Sequence, residues 1–530
     1  MSALAAHAAE PPPPPPALDA PEAWVVDAPA PFRSEPLGLA DALGQAALHN
    51  PELGAAAQDV RISEARGLAA QGAFDVEVTA TVTGSTSRRP QRGSQFAFDV
   101  GRRSIGGGFG VRRALETGGA IALQFDTQRL RIDQPNDPTD AAAGRSSLTA
   151  FAVVPTLTLN HALLRGAGLK VNRAGIARAK LARTAAEAAQ QAAAQQVTRD
   201  LVRGYWDLLF AHRDLANKQR SAALVRAQID RTAKLVRAGK RSRLDARAIE
   251  QALAAREADV SRAENALLVA SLAVRRAMGQ SIGGRDTLGL QPSTDPQVQP
   301  RALVIEDEIA RALEGNATLQ QLELEQAALG IDVKVAANAR LPRLDVAASF
   351  SPQGRSIDTR GDAANGVAPR RATWGQAFGN MFGDDVRADG VLADWSLNGS
   401  ITLTWDVQNR AARGAHQEAK LTVEQARLRL AAAREDVSAQ VIGAASALRA
   451  AGKTIVAAEL SEELARENLA AEQSKFELGR ATNYDVLLRL DEVDAAAGLA
   501  LAARVEYLAA LAELQLLTGE ILVVYGLTGG

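Results

Sequence analysis

The chain has 530 residues, 60 basic against 61 acidic, with 47% hydrophobic residues, 4% aromatic ones and no cysteine. The absence of cysteine excludes disulfides, thiolate metal sites, a cysteine nucleophile and an N-terminal lipidated cysteine. The balanced charge argues against a general nucleic-acid binder. The longest uncharged stretch, Ser146 to Leu164, contains Pro155, Thr156, Thr158, Asn160 and His161. A transmembrane helix needs about 20 mostly apolar residues, so a helical membrane protein is excluded and a β-barrel one is not.

The chain opens on a tract with six consecutive prolines, Pro11 to Pro16, and residues 1–36 read as a polyproline or disordered lead. Met1 to Ala9 lacks the basic region and the full apolar region of a secretory signal, although its small residues resemble the end of one. Beyond the lead the sequence repeats itself. Ala40 to Gly84 aligns without gaps on Glu306 to Phe350, bringing Asn50 onto Asn316 and Val78 onto Leu344. Arg226 to Gln280 likewise aligns on Arg466 to Glu520, where Gly239 meets Gly479, Ser242 meets Thr482, Asp245 meets Asp485 and Gly279 meets Gly519. Individual matches are weak, but several in register establish an internal duplication.

Each copy reads as a helix, strands, a very long helix, a tight turn and a returning helix. From about Ala167 to Arg237 there is no proline, and strong helix formers dominate. Val197, Leu201, Tyr205 and Leu208 recur there at helical spacing. The counterpart runs from about Ala411 to Leu478. The returning helices carry a seven-residue step, Leu253, Val260, Leu267 and Val274, copied as Val493, Ala500, Tyr507 and Leu514. Heptads on antiparallel partners predict coiled-coil packing.

The strands alternate. Phe74, Val76, Val78, Ala80 and Val82 interleave with Asp75, Glu77, Thr79, Thr81 and Thr83, and Trp395, Leu397, Gly399, Ile401, Leu403 and Trp405 with Ser396, Asn398, Ser400, Thr402 and Thr404. Ile121, Leu123 and Phe125, then Phe151, Val153, Leu157 and Leu159, then Leu344, Val346, Ala348 and Phe350 do likewise. Such alternation suits a barrel strand between lipid and a wet lumen, and equally a soluble amphipathic sheet packed on helices. Helices too long to cover a small sheet, and a long Gly/Asp/Arg-rich connection from Gly354 to Gly390, favour the barrel. Two main strands per repeat would leave open edges, which lipid does not tolerate, so the barrel reading predicts an oligomer. The segment from Ser85 to Arg145 exceeds what two strands need; Phe96, Phe98 and Val100 with Ile121, Leu123 and Phe125 predict an extra hairpin, either in the barrel or capping it.

From about Leu37 to Gly519 the sequence resembles the TolC-like outer-membrane efflux proteins. The resemblance is carried by the duplication and by the paired turns Gly239-Lys-Arg-Ser242-Arg-Leu-Asp245 and Gly479-Arg-Ala-Thr482-Asn-Tyr-Asp485. The strand-to-helix junction Leu157-Thr-Leu-Asn-His-Ala-Leu163-Leu-Arg-Gly166, matched by Leu403-Thr-Trp405-Asp-Val407, adds to it. It implies an α+β membrane protein of the outer membrane of a Gram-negative bacterium, a homotrimer giving four strands per chain to a shared 12-stranded transmembrane β-barrel above a long periplasmic coiled-coil α-barrel. The whole would be the passive exit duct of a tripartite efflux or type I secretion system, docked to a periplasmic adaptor and an inner-membrane pump, with no cofactor.

The expected organisation is the lead (1–36), a first repeat (37–290; strands at about 73–160, helical hairpin 165–280), a linker (291–305), a second repeat (306–520; strands at about 343–406, hairpin 410–519) and a tail (521–530). The turns have a full structural reading. Gly239 and Gly479 suit the left-handed residue after a helix, Ser242 and Thr482 suit N-caps, and Asp245 and Asp485 complete capping boxes. The resemblance adds adaptor contact at these tips, namely Gly239, Ser242, Leu244, Asp245, Gly479, Thr482, Tyr484 and Asp485, and an entrance constriction at Asp485; Leu488 stands where a second acid would follow. One hairpin flank is basic (Arg231, Lys234, Arg237, Lys240, Arg241, Arg243, Arg247) and the other acidic (Glu459, Glu462, Glu463, Glu467, Glu472, Glu477). Side by side around a mouth, Arg237, Arg241 and Arg243 with Glu467, Glu472 and Glu477 would form a closing charge network, against the plainer alternative of solvated helix faces.

Enzyme signatures fail. Gly452-Lys453-Thr454 resembles the end of a P-loop, but Ala447 stands where the first glycine is required. Gly106-Gly107-Gly108-Phe109-Gly110 lacks the dinucleotide spacing, and His7, His49, His161, His212 and His416 are scattered without metal-ligand spacing. The rival functions are a periplasmic or surface coiled-coil structural protein with a soluble sheet, and a basic coiled-coil tip that binds anionic polymers through Arg231 to Arg247.

Overall fold

A computed structural model describes residues 34–92, 97–136, 144–238, 243–281, 289–296, 298, 301–358, 369–382 and 394–527, so the proline tract lies outside the described residues. Ser34–Leu37, β1, pairs in parallel with β6, Gly289–Pro292. The end of the expected lead and the start of the expected linker are therefore a small two-stranded sheet. Between these strands run α1 (Leu39–His49), α2 (Pro51–Gln71), four long strands, β2 (Val76–Arg92), β3 (Ala97–Leu115), β4 (Gly119–Pro135) and β5 (Arg145–Ala162), and then α3 (Leu169–Asn172), α4 (Ala174–Arg237) and α5 (Arg243–Ala277). The second half repeats the scheme with α6 (Ile305–Gly315), α7 (Ala317–Ala339), β7 (Arg343–Pro352), β8 (Gly354–Ile357), α8 (Trp374–Phe382), β9 (Trp395–Thr404), α9 (Arg410–Glu477), α10 (Asn483–Leu517) and α11 (Ile521–Val524).

The long helices follow from a proline-free, alanine-rich sequence whose apolar residues fall on one face. On α4, Val197, Leu201, Tyr205 and Leu208 are buried; on α9, Val437, Val441, Leu448 and Ile455; on α10, Ala500, Tyr507 and Leu514. All belong to a core that joins both halves, apart from Val197 and Ala500, which are buried beside it. At 1.5 Å per residue the 64 residues of α4 and the 68 of α9 each extend roughly 100 Å. The exclusion of membrane-crossing helices needs a correction: α9 and α10 each contain an 18-residue window long and apolar enough to cross a bilayer. Their apolarity comes largely from alanines and core residues of the hairpin, such as Leu448, Ala451, Ala512 and Leu514.

The duplication is visible as one clasp built twice. Asn50 caps α2, its Oδ1 accepting from the N–H groups of Glu52 (2.8 Å) and Leu53 (3.2 Å), while its Nδ2 donates to Ala277 O at 2.7 Å. Asn316 caps α7 from Thr318 (3.0 Å) and Leu319 (3.2 Å), and donates to Leu517 O at 3.4 Å. Each asparagine thus satisfies helix-start N–H groups and a helix-end carbonyl at once. Gly279 (φ +72°) and Gly519 (φ +76°) follow the two returning helices, and a Cβ on either would collide with backbone, at His49 and Gly315 respectively. Both the left-handed conformation and the close approach require glycine there. Ile521 of α11 is fully buried in the joint core, so the expected tail is anchored.

The sheet departs from the expectation of four strands per chain. Its order is β2-β3-β4-β5-β7-β9, with the short β8 also paired to β5. All these pairings are antiparallel. The extra hairpin is β3–β4, and it lies inside the sheet as two full-length strands. Six strands, not four, form the continuous sheet. The connection from Gly354 to Gly390, read as a loop, contains β8 and α8 among its described residues.

Candidate duct wall and entrance

Register fixes which side chains share a face. Val78 lies opposite Val111, which lies opposite Leu123, itself opposite Leu157; Leu157 faces Phe350, and Phe350 faces Leu397. One apolar surface therefore crosses all six strands, including both strands of the inserted hairpin, and it is exposed: Val82 is 86% accessible, Ile401 74% and Leu397 65%. The other surface is polar, with Thr79, Thr81 and Thr83 on β2, Gln124, Asp126 and Gln128 on β4, and Asn398, Ser400 and Thr402 on β9. Between β2 and β4 that surface is a lane of glycines, Gly106, Gly108 and Gly110, over which Gln124 and Asp126 lean, Gln124 Nε2 donating to Asp126 Oδ1 at 3.0 Å. The run that looked like a failed nucleotide motif is thus the bed of a polar ladder.

The apolar band has measurable limits. On β3 it runs through Ile105, Phe109 and Val111 and is closed at both ends by arginine, Arg103 and Arg113. On β9 it is bracketed by Trp395 and, just past the last residue, Trp405, both half-exposed or more. Each bracket covers ten residue steps, about 33 Å of strand, or about 25 Å of height at a tilt near 40°.

At the far end of the helices, only the second hairpin tip is described in full. Gly479 (φ +75°) closes α9: its N–H donates to Phe476 O at 3.0 Å, and that of Arg480 to Lys475 O at 2.8 Å. This is the paired hydrogen-bond pattern of a Schellman C-cap. Thr482 Oγ1 accepts from Asp485 N at 3.3 Å, and Asp485 Oδ2 accepts from Thr482 N at 2.8 Å, a complete capping box. The Thr482 hydroxyl and N–H, helped by Arg489 and Lys475, hold the Asp485 carboxyl below the usual aspartate range. Tyr484 and Leu478 project into solvent at this tip. On the first hairpin Gly239, Arg241 and Ser242 lie outside the described residues, as do the side chains of Arg243, Leu244 and Asp245, which fall in the first turn of α5.

Near the tips, the described charges pair within one chain. Arg231 reaches Glu477 at 4.0 Å across the two hairpins, but Glu472 pairs with Lys475 on its own helix at 3.0 Å, and Arg237 Nε donates to Ala233 O. The dominant link is one that sequence reading missed: Arg256 of α5, largely buried, contacts Asp491 and also Asp494 (3.5 Å) of α10 and Asp259 (3.7 Å) of α5. Also missed was buried Asn483, which accepts from Gln228 (2.9 Å) and Thr232 (3.2 Å) of α4 above a small core of Val225, Ile249, Phe476, Ala481, Val486 and Leu490. A second buried cluster ties α6 to the end of α10, where Glu308, 2% exposed, accepts from Arg301 (3.3 Å) and Arg311 (2.6 Å), and Glu520 accepts from Arg311 (2.8 Å). Isolated arginines and glutamates carry no sequence signal of such meetings, because their partners lie on other elements. Among the described residues no cluster of His, Asp or Glu could hold a metal ion. His161 sits at the foot of β5, its Nε2 3.0 Å from Thr117 Oγ1.

Residues 309–520 match the family described as outer membrane efflux protein. The second repeat thus matches the outer membrane efflux proteins in sequence. The fold agrees over nearly the whole chain. The CmeC outer membrane channel of Campylobacter jejuni superposes with a TM-score of 0.62 at 13% identity, over 91% of this chain and 85% of that one. VceC of Vibrio cholerae gives 0.61 at 14% identity over 91% and 96%, and the open-state MtrE channel of Neisseria gonorrhoeae gives 0.59 at 15% over 91% and 89%. No curated protein sequence matches. The efflux-family sequence covers the second repeat, while the first repeat shares the fold and carries the inserted hairpin.

Proposed function

We propose that three copies of this chain close into the exit duct of a tripartite efflux or type I secretion system, a passive conduit from periplasm to exterior. The observation that carries the reading is the six-strand sheet with one apolar face and, among the described residues, two unpaired edges, β2 and β9. Open edges are untenable in lipid. Because strand direction alternates at every step from β2 to β9, the β9 edge of one copy meets the β2 edge of the next in antiparallel sense, and three copies give eighteen strands. The apolar face then meets lipid over a height that matches the ~25 Å band of outer-membrane barrels, and the threonine, glutamine and asparagine face lines the lumen. At a spacing near 4.8 Å and a tilt near 40°, twelve strands make a wall about 24 Å across and eighteen about 36 Å.

Below the barrel, the hairpins α4–α5 and α9–α10 of three chains form the periplasmic α-barrel, and their tips meet the periplasmic adaptor that links the duct to an inner-membrane pump. Exposed Tyr484 and Leu478 beside the rigid cap Gly479, Thr482 and Asp485 supply the contact surface on one tip, with Gly239, Ser242, Leu244 and Asp245 on the other. Asp485, kept ionised by its cap, supplies an acidic ring at the entrance. Arg237, Arg241 and Arg243 facing Glu467, Glu472 and Glu477 of a neighbour supplement the Arg231–Glu477 and Arg256–Asp491 links in holding it shut. Exposed pairs contribute about 0–1 kcal/mol each, so they act only as a set. The test is expression with an outer-membrane signal peptide in a Gram-negative host, followed by fractionation and native mass of the detergent-extracted particle. An outer-membrane particle of three chains is expected; a soluble monomer or dimer overturns the reading.

A further inference from the structure

Above the apolar band, the lipid-facing side of the wall changes character. The same registers that align the apolar residues place Arg88, Arg103, Arg129, Arg131 and Arg145 on that face, with Asp99 and Asp133 as the carboxylates among them. Arg103 and Arg131 are direct cross-strand partners, and Arg129 follows on the same face two residues earlier on β4. Like charges opposed across a ladder destabilise a sheet. Asp133 meets Arg131 at 3.2 Å, and Arg145 is spent on the backbone carbonyls of Asp99 (2.7 Å) and Asp133 (3.2 Å). Arg88 and Arg103 are exposed and make no ion pair among the described residues. Arg129 lies 5.8 Å over the ring of Phe151, which stacks edge-on with Trp374 of α8 at 4.8 Å. The helix itself is clasped to this outer face, burying Ala377 and Met381 on Val153 and leaving Trp374 and Phe378 half-exposed.

We propose that Arg88, Arg103, Arg129 and Arg131 bind the phosphate groups of a glycolipid in the outer leaflet, whose acyl chains lie along Ile105, Phe109, Leu123 and Phe125 directly beneath. This rests on the reading of the apolar face as the lipid-facing one. Two features select an amphiphile over a free anion. The arginines sit at the boundary where the ~25 Å apolar band ends, at headgroup depth. The surface below them is apolar apart from Gly107 and Thr127, whose hydroxyl donates to the Gly107 carbonyl at 3.0 Å, with the aromatic edge of α8 beside it, as interfacial residues are arranged. Guanidinium groups arrayed on a rigid sheet suit phosphate oxygens through paired N–H donors.

The test uses the full-length protein in detergent, titrated with a bisphosphorylated glucosamine-based lipid, the same lipid dephosphorylated, and inorganic phosphate, with binding read by native mass spectrometry. The triple variant Arg103→Gln/Arg129→Gln/Arg131→Gln is compared with Arg102→Gln/Arg112→Gln, which removes charge from the opposite, polar face. At a factor of about five per arginine near an anionic surface, the first variant is expected to lose about a hundredfold in affinity for the phosphorylated lipid and the second almost nothing. The lysine version of the triple variant, which keeps the charge, guards against a folding defect and is expected to recover most of the binding. Equal affinity for the two lipids, equal loss in both glutamine variants, or displacement of the lipid by millimolar inorganic phosphate overturns the proposal. Fractionation of the same cells reads the duct separately. A triple variant that stays in the outer membrane yet keeps wild-type lipid binding removes the site alone, whereas a chain absent from the outer membrane removes the duct reading and the site with it.

Discussion

Where the first repeat threads four strands of 17 to 19 residues between α2 and α4, the second threads β7 and β9, ten residues each, between α7 and α9. Around that unequal wall the two halves keep the same clasp: Asn50 with Ala277 and Gly279, and Asn316 with Leu517 and Gly519. The difference shows which part of the architecture is free to change. Helix junctions are fixed by close packing, where a Cβ at Gly279 or Gly519 would meet backbone. A sheet can grow by a whole hairpin, because two added strands preserve both the antiparallel alternation and the in–out alternation of side chains. Adding one strand would force a parallel pair where the sheet closes.

The comparison can be broken most forcefully by removing what distinguishes the first half. Replacing residues 93–144 by a short Gly/Ser turn joins β2 directly to β5 and leaves four strands per chain. The pore area should fall to roughly half, as the square of the strand number, and single-channel conductance in planar bilayers with it. Unchanged conductance would mean that β3–β4 stands apart from the wall. Next in size is the joint that only the second half possesses. Glu308→Ala removes the buried acceptor of Arg301 and Arg311, which keep Glu520, and should cost about 1.5–3 kcal/mol in chemical unfolding, whereas a loss under about 0.5 kcal/mol would show that the cluster is solvated. The shared clasp offers a paired experiment: Gly279→Ala and Gly519→Ala should each destabilise by about 1–3 kcal/mol, and by similar amounts if the two halves are equivalent there. A large inequality would show that one clasp carries the fold.

The smallest effect lies at the described hairpin tip. Thr482→Ala removes the N-cap of α10 and should cost about 1 kcal/mol, seen as faster amide exchange over Asn483 to Leu487. Asp485 has a folded-state pKa held below its unfolded value, so its contribution is present above the unfolded pKa and is lost as pH falls through the folded one. Protection at the start of α10, taken relative to the intrinsic exchange rate at each pH, should therefore fall on acidification below the ordinary aspartate range, and Asp485→Asn should abolish that fall. A pH-independent protection factor in the wild type would remove the cap from the account.

Much of this was legible in the sequence because it depends on local chemistry. Proline-free alanine-rich runs give the long helices, and Thr482 followed by Asp485 gives the capping box. Strict alternation in Val76 to Val82 and Leu397 to Leu403 gives the two-faced sheet. The surplus length of Ser85 to Arg145 marked the extra hairpin, but its place in the sheet did not follow, since pairing partners are set by register between strands far apart in the chain. The same limit hid Arg256 with Asp491, Asn483 with Gln228 and Thr232, and Glu308 with its two arginines. Each is a long-range meeting of residues that look like ordinary surface groups one at a time. Compositional charge runs say little about pairing: Glu472 belongs to a flank that reads as acidic, and it pairs with Lys475 three residues away on the same helix.

The central claim is that six strands of each chain line one closed wall. Counting strands in a cryo-electron microscopy map of the full chain in lipid nanodiscs tests it most directly. Eighteen strands, with β9 of each copy hydrogen-bonded to β2 of the next, is the result expected; a twelve-strand wall with β3–β4 folded outside it would contradict the claim.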